Sequence, residues 1–137
     1  MFHFAISKKI DFTINIVEKE DYLGSFKSNI IIHRYHPTGI FTYESNDIWF
    51  KQSDWEKFNI ELPNLVTHKH KEVVLKSMSE LFIIHLYLKP SNEFVFSIKI
   101  KEPIVRDTCI LEFTVTIDNE KIGDLKNKIS HFSESIG

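Results

Sequence analysis

The residues whose chemistry is easiest to name are the histidines, the carboxylates and the one cysteine. His68 and His70 flank Lys69, so an extended backbone would turn both imidazoles to one side, and His33 or His36 would have to supply a third metal ligand. No cysteine pair and no H-E-x-x-H helix accompanies them, and the reading is that no metal is bound. Nineteen Asp and Glu are present, yet no two stand in an apolar strand at a spacing that would drive their pKa values apart, as acid/base catalysis requires. A Gly-rich phosphate cradle and a serine in a triad setting are both missing. Cys109 falls on the apolar side of its strand and reads as a small buried hydrophobe rather than a nucleophile. The expectation is a protein with no catalytic residue, no metal and no cofactor, which acts by binding.

The stretch that organises the chain is Cys109 to Ile136. Cys109, Leu111, Phe113, Val115 and Ile117 alternate with Glu112, Thr114 and Thr116, the period of a half-buried strand. Asp118 then offers an oxygen to the free amides of a first helical turn, with Ile117 and Ile122 placed as a hydrophobic staple. Ile122, Leu125, Ile129, Phe132 and Ile136 form one apolar stripe, which needs a sheet to lie on.

The preceding chain supplies strands. Phe2 to Ile6 and Phe12 to Ile16 alternate, the charged run Glu18 to Asp21 leads through Tyr22 and Leu23 to Gly24 as a hairpin connection, and Phe26 to Tyr35 follows. Ile30, Ile31 and Ile32 are apolar on both faces and belong inside a sheet. His36 to Gly39 is a turn, and Ile40–Tyr43 and Ile48–Phe50 are expected as short strands around a polar loop, Glu44 to Asp47. Ser53 to Glu56 has the form of a capping box, opening a helix with Trp55, Phe58, Leu62 and Leu65 on one face that Pro63 should stop near Glu61 or Leu62. Val73–Met78, Leu81–Leu88 and Phe94–Glu102 are three more strands, the last two joined by a turn at Pro90 to Glu93. No sequence repeat or linker divides the chain, so residues 1–137 form a single α+β domain. Its architecture is a meander-like antiparallel sheet of about six to eight strands, packed by the C-terminal amphipathic helix and a shorter helix.

Composition narrows the partner class. A 137-residue chain with 42% hydrophobic and 26% charged residues buries a core without staples, and the lone cysteine permits no internal disulfide and fits a reducing compartment. A net charge of −2 gives no broad basic field for nucleic acid or an anionic membrane. No apolar run reaches the length of a membrane helix or of a signal-peptide core, so the expected setting is cytoplasmic.

One resemblance adds a role. Gly39 through Phe41 and Tyr43 into Ser53, Asp54, Trp55, Glu56, Lys57, Phe58 and Leu62, then the strands ending at Glu102, then Leu111 to Asp118 leading to Leu125 and Ile129, resemble the WapI-like bacterial immunity proteins. The resemblance spans roughly Phe26 to Phe132. It implies an immunity protein that binds and silences the C-terminal domain of a contact-delivered toxin, and it assigns no residue, because the matching positions are core-like. The partner-binding residues are read from chemistry instead. A nuclease toxin presents basic groups to its substrate, so the acidic turns Glu18, Glu20, Asp21 with Tyr22, and Glu44 with Asp47, are candidate contacts, with Tyr35 and Tyr87 as anchors. These tyrosines share an amphipathic second face with His33, His85 and Val95. The other class of function is a small apolar-ligand or chaperone-like binding module, with Trp49, Trp55, Tyr43 and Phe50 lining a pocket unless they are core.

Overall fold

Alternation decides the strands, and burial follows it residue by residue. Phe2, Phe4 and Ile6 are each at most 2% exposed while His3, Ala5 and Ser7 between them face solvent. The computed structural model describes residues 1–103 and 108–136. In chain order the elements are β1 (Phe2–Ser7), β2 (Ile10–Glu20), β3 (Ser25–His36), β4 (Gly39–Lys51), α1 (Gln52–Val66), β5 (Glu72–Lys76), β6 (Phe82–Leu88), β7 (Phe94–Pro103), β8 (Thr108–Ile117) and α2 (Asn119–Ile136). The α+β class, a strand number within the expected six to eight and the C-terminal helix packed on a sheet are as the sequence predicts. No helix among the described residues is long and apolar enough to cross a membrane.

The strands form two antiparallel sheets of four, ordered β1-β2-β3-β4 and β5-β6-β7-β8. Each is a simple meander closed by a helix, so the fold repeats a ββββα unit that the sequence does not show as a repeat. The two apolar faces meet: the Phe96 ring lies 6.2 Å from Phe4 and 5.7 Å from Phe12, and Phe50 lies 5.9 Å from Phe82. At one end the helices join this core, with Trp55 and Phe132 ring centres 4.8 Å apart. Asp118 caps α2 as expected, its carboxylate accepting from the Lys121 N–H at 2.7 Å. All five stripe residues of α2 are buried.

Four local expectations are corrected. The segment Gly39 to Lys51 is one bulged strand rather than two short strands about a loop, because β3 continues alongside it through Glu44 and Ser45 and a register shift absorbs the extra residue. Helix α1 begins at Gln52 with Lys51 as an uncapped flanking residue, so Ser53 is not the cap. The Gln52 N–H, one of the free amides of the first turn, donates to the Gly24 carbonyl at 2.8 Å. The helix also runs through Pro63 to Val66. Pro63 lies only three residues from the end, and the burial of Leu65 stabilises that turn by roughly 1.5–3 kcal/mol against the lost hydrogen bond. Finally, Cys109 is exposed. Cover on its side of β8 thins from buried Ile117 through half-buried Val115, Phe113 and Leu111, and has gone by the strand's start.

Phe132 touches Trp55, Phe2 and Phe26 and so ties both helices to the first sheet. Phe132→Ala is expected to cost about 3–5 kcal/mol in urea denaturation, because the cavity would open between elements that cannot collapse onto it. An unchanged midpoint would show that α2 is not docked there.

Candidate functional site

Two turns and the edge of β4 converge on a groove beside the first sheet. The turn between β2 and β3 reverses at Gly24, whose φ of 61° is left-handed, and it is held to the start of α1 by the Gln52 hydrogen bond. The turn between β5 and β6 passes through Glu80 at a φ of 59° and docks on the edge of β4, where the Met78 N–H donates to the Trp49 carbonyl at 2.8 Å. Between them lies a groove of about 680 Å³ lined by Glu20, Leu23, Asp47, Trp49, Met78 and Leu81, with Ser25 and Ser79 completing it. Its walls are apolar and its rim is acidic.

The apolar groups there are unusually open to solvent: Leu23 is 69% and Met78 47% exposed, and neighbouring Tyr22 is 94% exposed. Asp47 accepts from the Trp49 indole N–H at 3.1 Å and stands 4.0 Å from the Lys27 ammonium. Glu18 is the cross-strand partner of Lys27. Lys19 turns away to donate to the Ser135 carbonyl at 3.1 Å, while Lys27 lies against Glu18 and Asp47. An apolar side chain flanked by a basic group is what such a surface complements.

The structure therefore gathers part of the predicted contact set and disperses the rest. Glu20 and Asp47 line the groove, and Glu18, Asp21 and Tyr22 lie beside it in β2 and the following turn. Glu44 sits farther along β4, where the Asn29 amide donates to it at 3.1 Å. Tyr35 is at the far end of β3 from Ser25, about 33 Å along the strand. Its hydroxyl donates to Asp11 at 2.9 Å, and the His33 Nδ1 lies 3.1 Å from the same carboxylate. Tyr87 is on the outer face of the second sheet, 5.0 Å from the His85 ring, and His85 Nε2 is 2.9 Å from Glu72. The two tyrosines do not share a surface with each other or with the groove.

Of the four residues considered for an internal pocket, Trp55 and Phe50 are fully buried core, Tyr43 is half-buried, and Trp49 lines the groove. His68 packs its ring 5.8 Å from Phe94. Among the described residues no three His, Cys, Asp or Glu side chains are grouped to hold a metal ion. Leu23, Met78 and Leu81 were not legible as site residues, since only the docking of the β5–β6 turn on β4 makes them neighbours of Glu20 and Asp47.

No family model matches the chain, and no curated protein does. Among solved structures it is similar to MRP1/MRP2 of Trypanosoma brucei, with a TM-score of 0.48 and 13% identity, over 88% of this chain and 80% of that one. A likeness that slight assigns no property to this protein.

The Asp11 carboxylate holds the Tyr35 phenol above the usual tyrosine range, first through the hydrogen bond and then by burial and charge. A raised folded-state value favours the folded chain below the ordinary tyrosine pKa, and the effect is lost as pH rises through the raised one. Asp11→Asn should lower the Tyr35 value, read from tyrosinate absorbance against the unmodified protein. Superimposable titrations would mean the hydrogen bond is not made.

Proposed function

We propose that this protein is a stoichiometric binding protein of the immunity type, which occludes a basic toxin domain through the acidic, apolar groove between the β2–β3 and β5–β6 turns. The observation that carries the reading is the clustering of Glu20 and Asp47 about exposed Leu23, Met78 and half-buried Trp49. Charge at the rim would raise the association rate with a domain that must bind phosphate, and burial of the apolar wall would slow dissociation. In this reading the protein turns nothing over, and Tyr35 and Tyr87 lie outside the contact.

The test is co-expression and titration with the toxin C-terminal domain encoded beside its gene. A 1:1 complex that restores growth is expected. Replacing Glu20, Asp21, Glu44 and Asp47 together by Ala should weaken binding on the order of tenfold at low salt and less at high salt. Leu23→Ser should weaken it at both, with stability within about 0.5 kcal/mol because the residue is exposed. Binding that ignores all of these changes would sink the groove as the contact. Hydrolysis of RNA or DNA by the pure protein, abolished by changing one of its residues, would overturn the non-catalytic reading. The groove's volume also suits a small apolar ligand, and a bound molecule seen by native mass spectrometry would favour that second reading.

A further inference from the structure

An unpaired strand edge offers its N–H and C=O groups to any extended segment, and folded chains blunt such edges with covering elements, bulges, lysines or prolines. Four strands here are edges. β1 packs against α2 and β5 against α1, while β4 carries a bulge and has its Trp49 carbonyl taken by Met78. Among the described residues β8 has none of these devices. From Thr108 to Ile117 it contains no Pro, Gly, Lys or Arg, and Glu112 is its one charge. β1 comes close without pairing, and among the described residues no backbone group outside β7 bonds to β8.

Its apolar side is also incompletely covered. Leu111, Phe113 and Val115 are half-buried, whereas their β7 partners Ile100, Ile98 and Phe96 are at most 2% exposed. Phe41, 49% exposed, lies 6.3 Å from Phe113 and extends the bare strip onto β4.

We propose that β8 pairs antiparallel with β8 of a second copy about a two-fold axis at Phe113, joining two four-stranded sheets into one. The strand is complementary to itself in that register. Leu111 meets Val115 of the other copy, Phe113 meets its counterpart, and on the wet face Glu112 meets Thr114. A slip of one residue would set apolar against polar faces, and a two-fold at Glu112 would oppose two carboxylates. A two-fold at Thr114 would shorten the paired segment from Cys109–Ile117 to Leu111–Ile117. Because the contact is isologous it closes at two copies.

Sedimentation equilibrium of the full chain, under reducing conditions so that exposed Cys109 forms no disulfide, should show a reversible dimer. Thr114 is exposed and opposite Ser97, so T114K and T114E should keep the native circular dichroism spectrum. T114K would set a cation opposite Glu112 at both symmetry-related positions and tighten the dimer about three- to tenfold at low salt, and T114E would weaken it by a similar factor. A monomer at every concentration, a dimer indifferent to both changes, or one weakened by both, overturns the pairing about Phe113.

Discussion

Everything in this fold depends on two apolar sheet faces covering each other, with the two helices covering what they leave open. A four-stranded meander with Phe4, Phe12, Ile14, Ile30 and Ile32 on one side must bury that face against another element, and so must one with Phe82, Ile84, Phe96 and Ile98. Facing them together places the aromatic contacts of Phe96 at the centre. The helices then close the end of the sandwich that the strands leave open, which is why Trp55 and Phe132 meet there rather than on an outer face. On the outer faces His33, Tyr35 and His85 meet local carboxylates instead of the core.

That arrangement also decides where the groove falls. The chain must cross from one sheet to the other between β4 and β5, and α1 makes that crossing. The β5–β6 turn is thereby brought against the edge of β4, close to the β2–β3 turn that holds the start of α1. Two turns far apart in sequence become the walls of one groove. Its acidic character comes from the ends of β2 and β4, while its apolar character comes from Leu23 and Met78, side chains that a turn free in solvent would have little reason to expose together.

Much of the scaffold was legible because period and burial coincide. The alternation of β1 and β2 and the stripe of α2 each follow from one face being dry, and Asp118 caps as its chemistry requires. What could not be read is what depends on partners distant in sequence. Nothing in Glu44 to Asp47 shows that β3 runs on beside it, so a bulged strand reads as a loop. Gln52 finds its hydrogen-bond acceptor in the distant β2–β3 turn and opens the helix there, so Ser53 falls inside α1 rather than at its cap. Cys109 has the right parity for the core and lies past the point where the opposing sheet gives cover. The acids of the site were visible as charges, and their apolar neighbours were not.

The groove and the bare edge of β8 differ in the physics that would engage them, and this separates their consequences. No groove residue belongs to β8. A partner drawn to Glu20 and Asp47 responds to charge, and so to salt, whereas strand pairing rests on backbone hydrogen bonds that any residue can make and takes its register from side-chain pattern. Pairing along β8 would leave each copy's groove residues free of the new ladder, so self-association and partner binding need not compete. Two meanders and two helices set which edges and turns exist, and the chemistry of Leu23, Asp47, Met78 and Glu112 decides what they can hold.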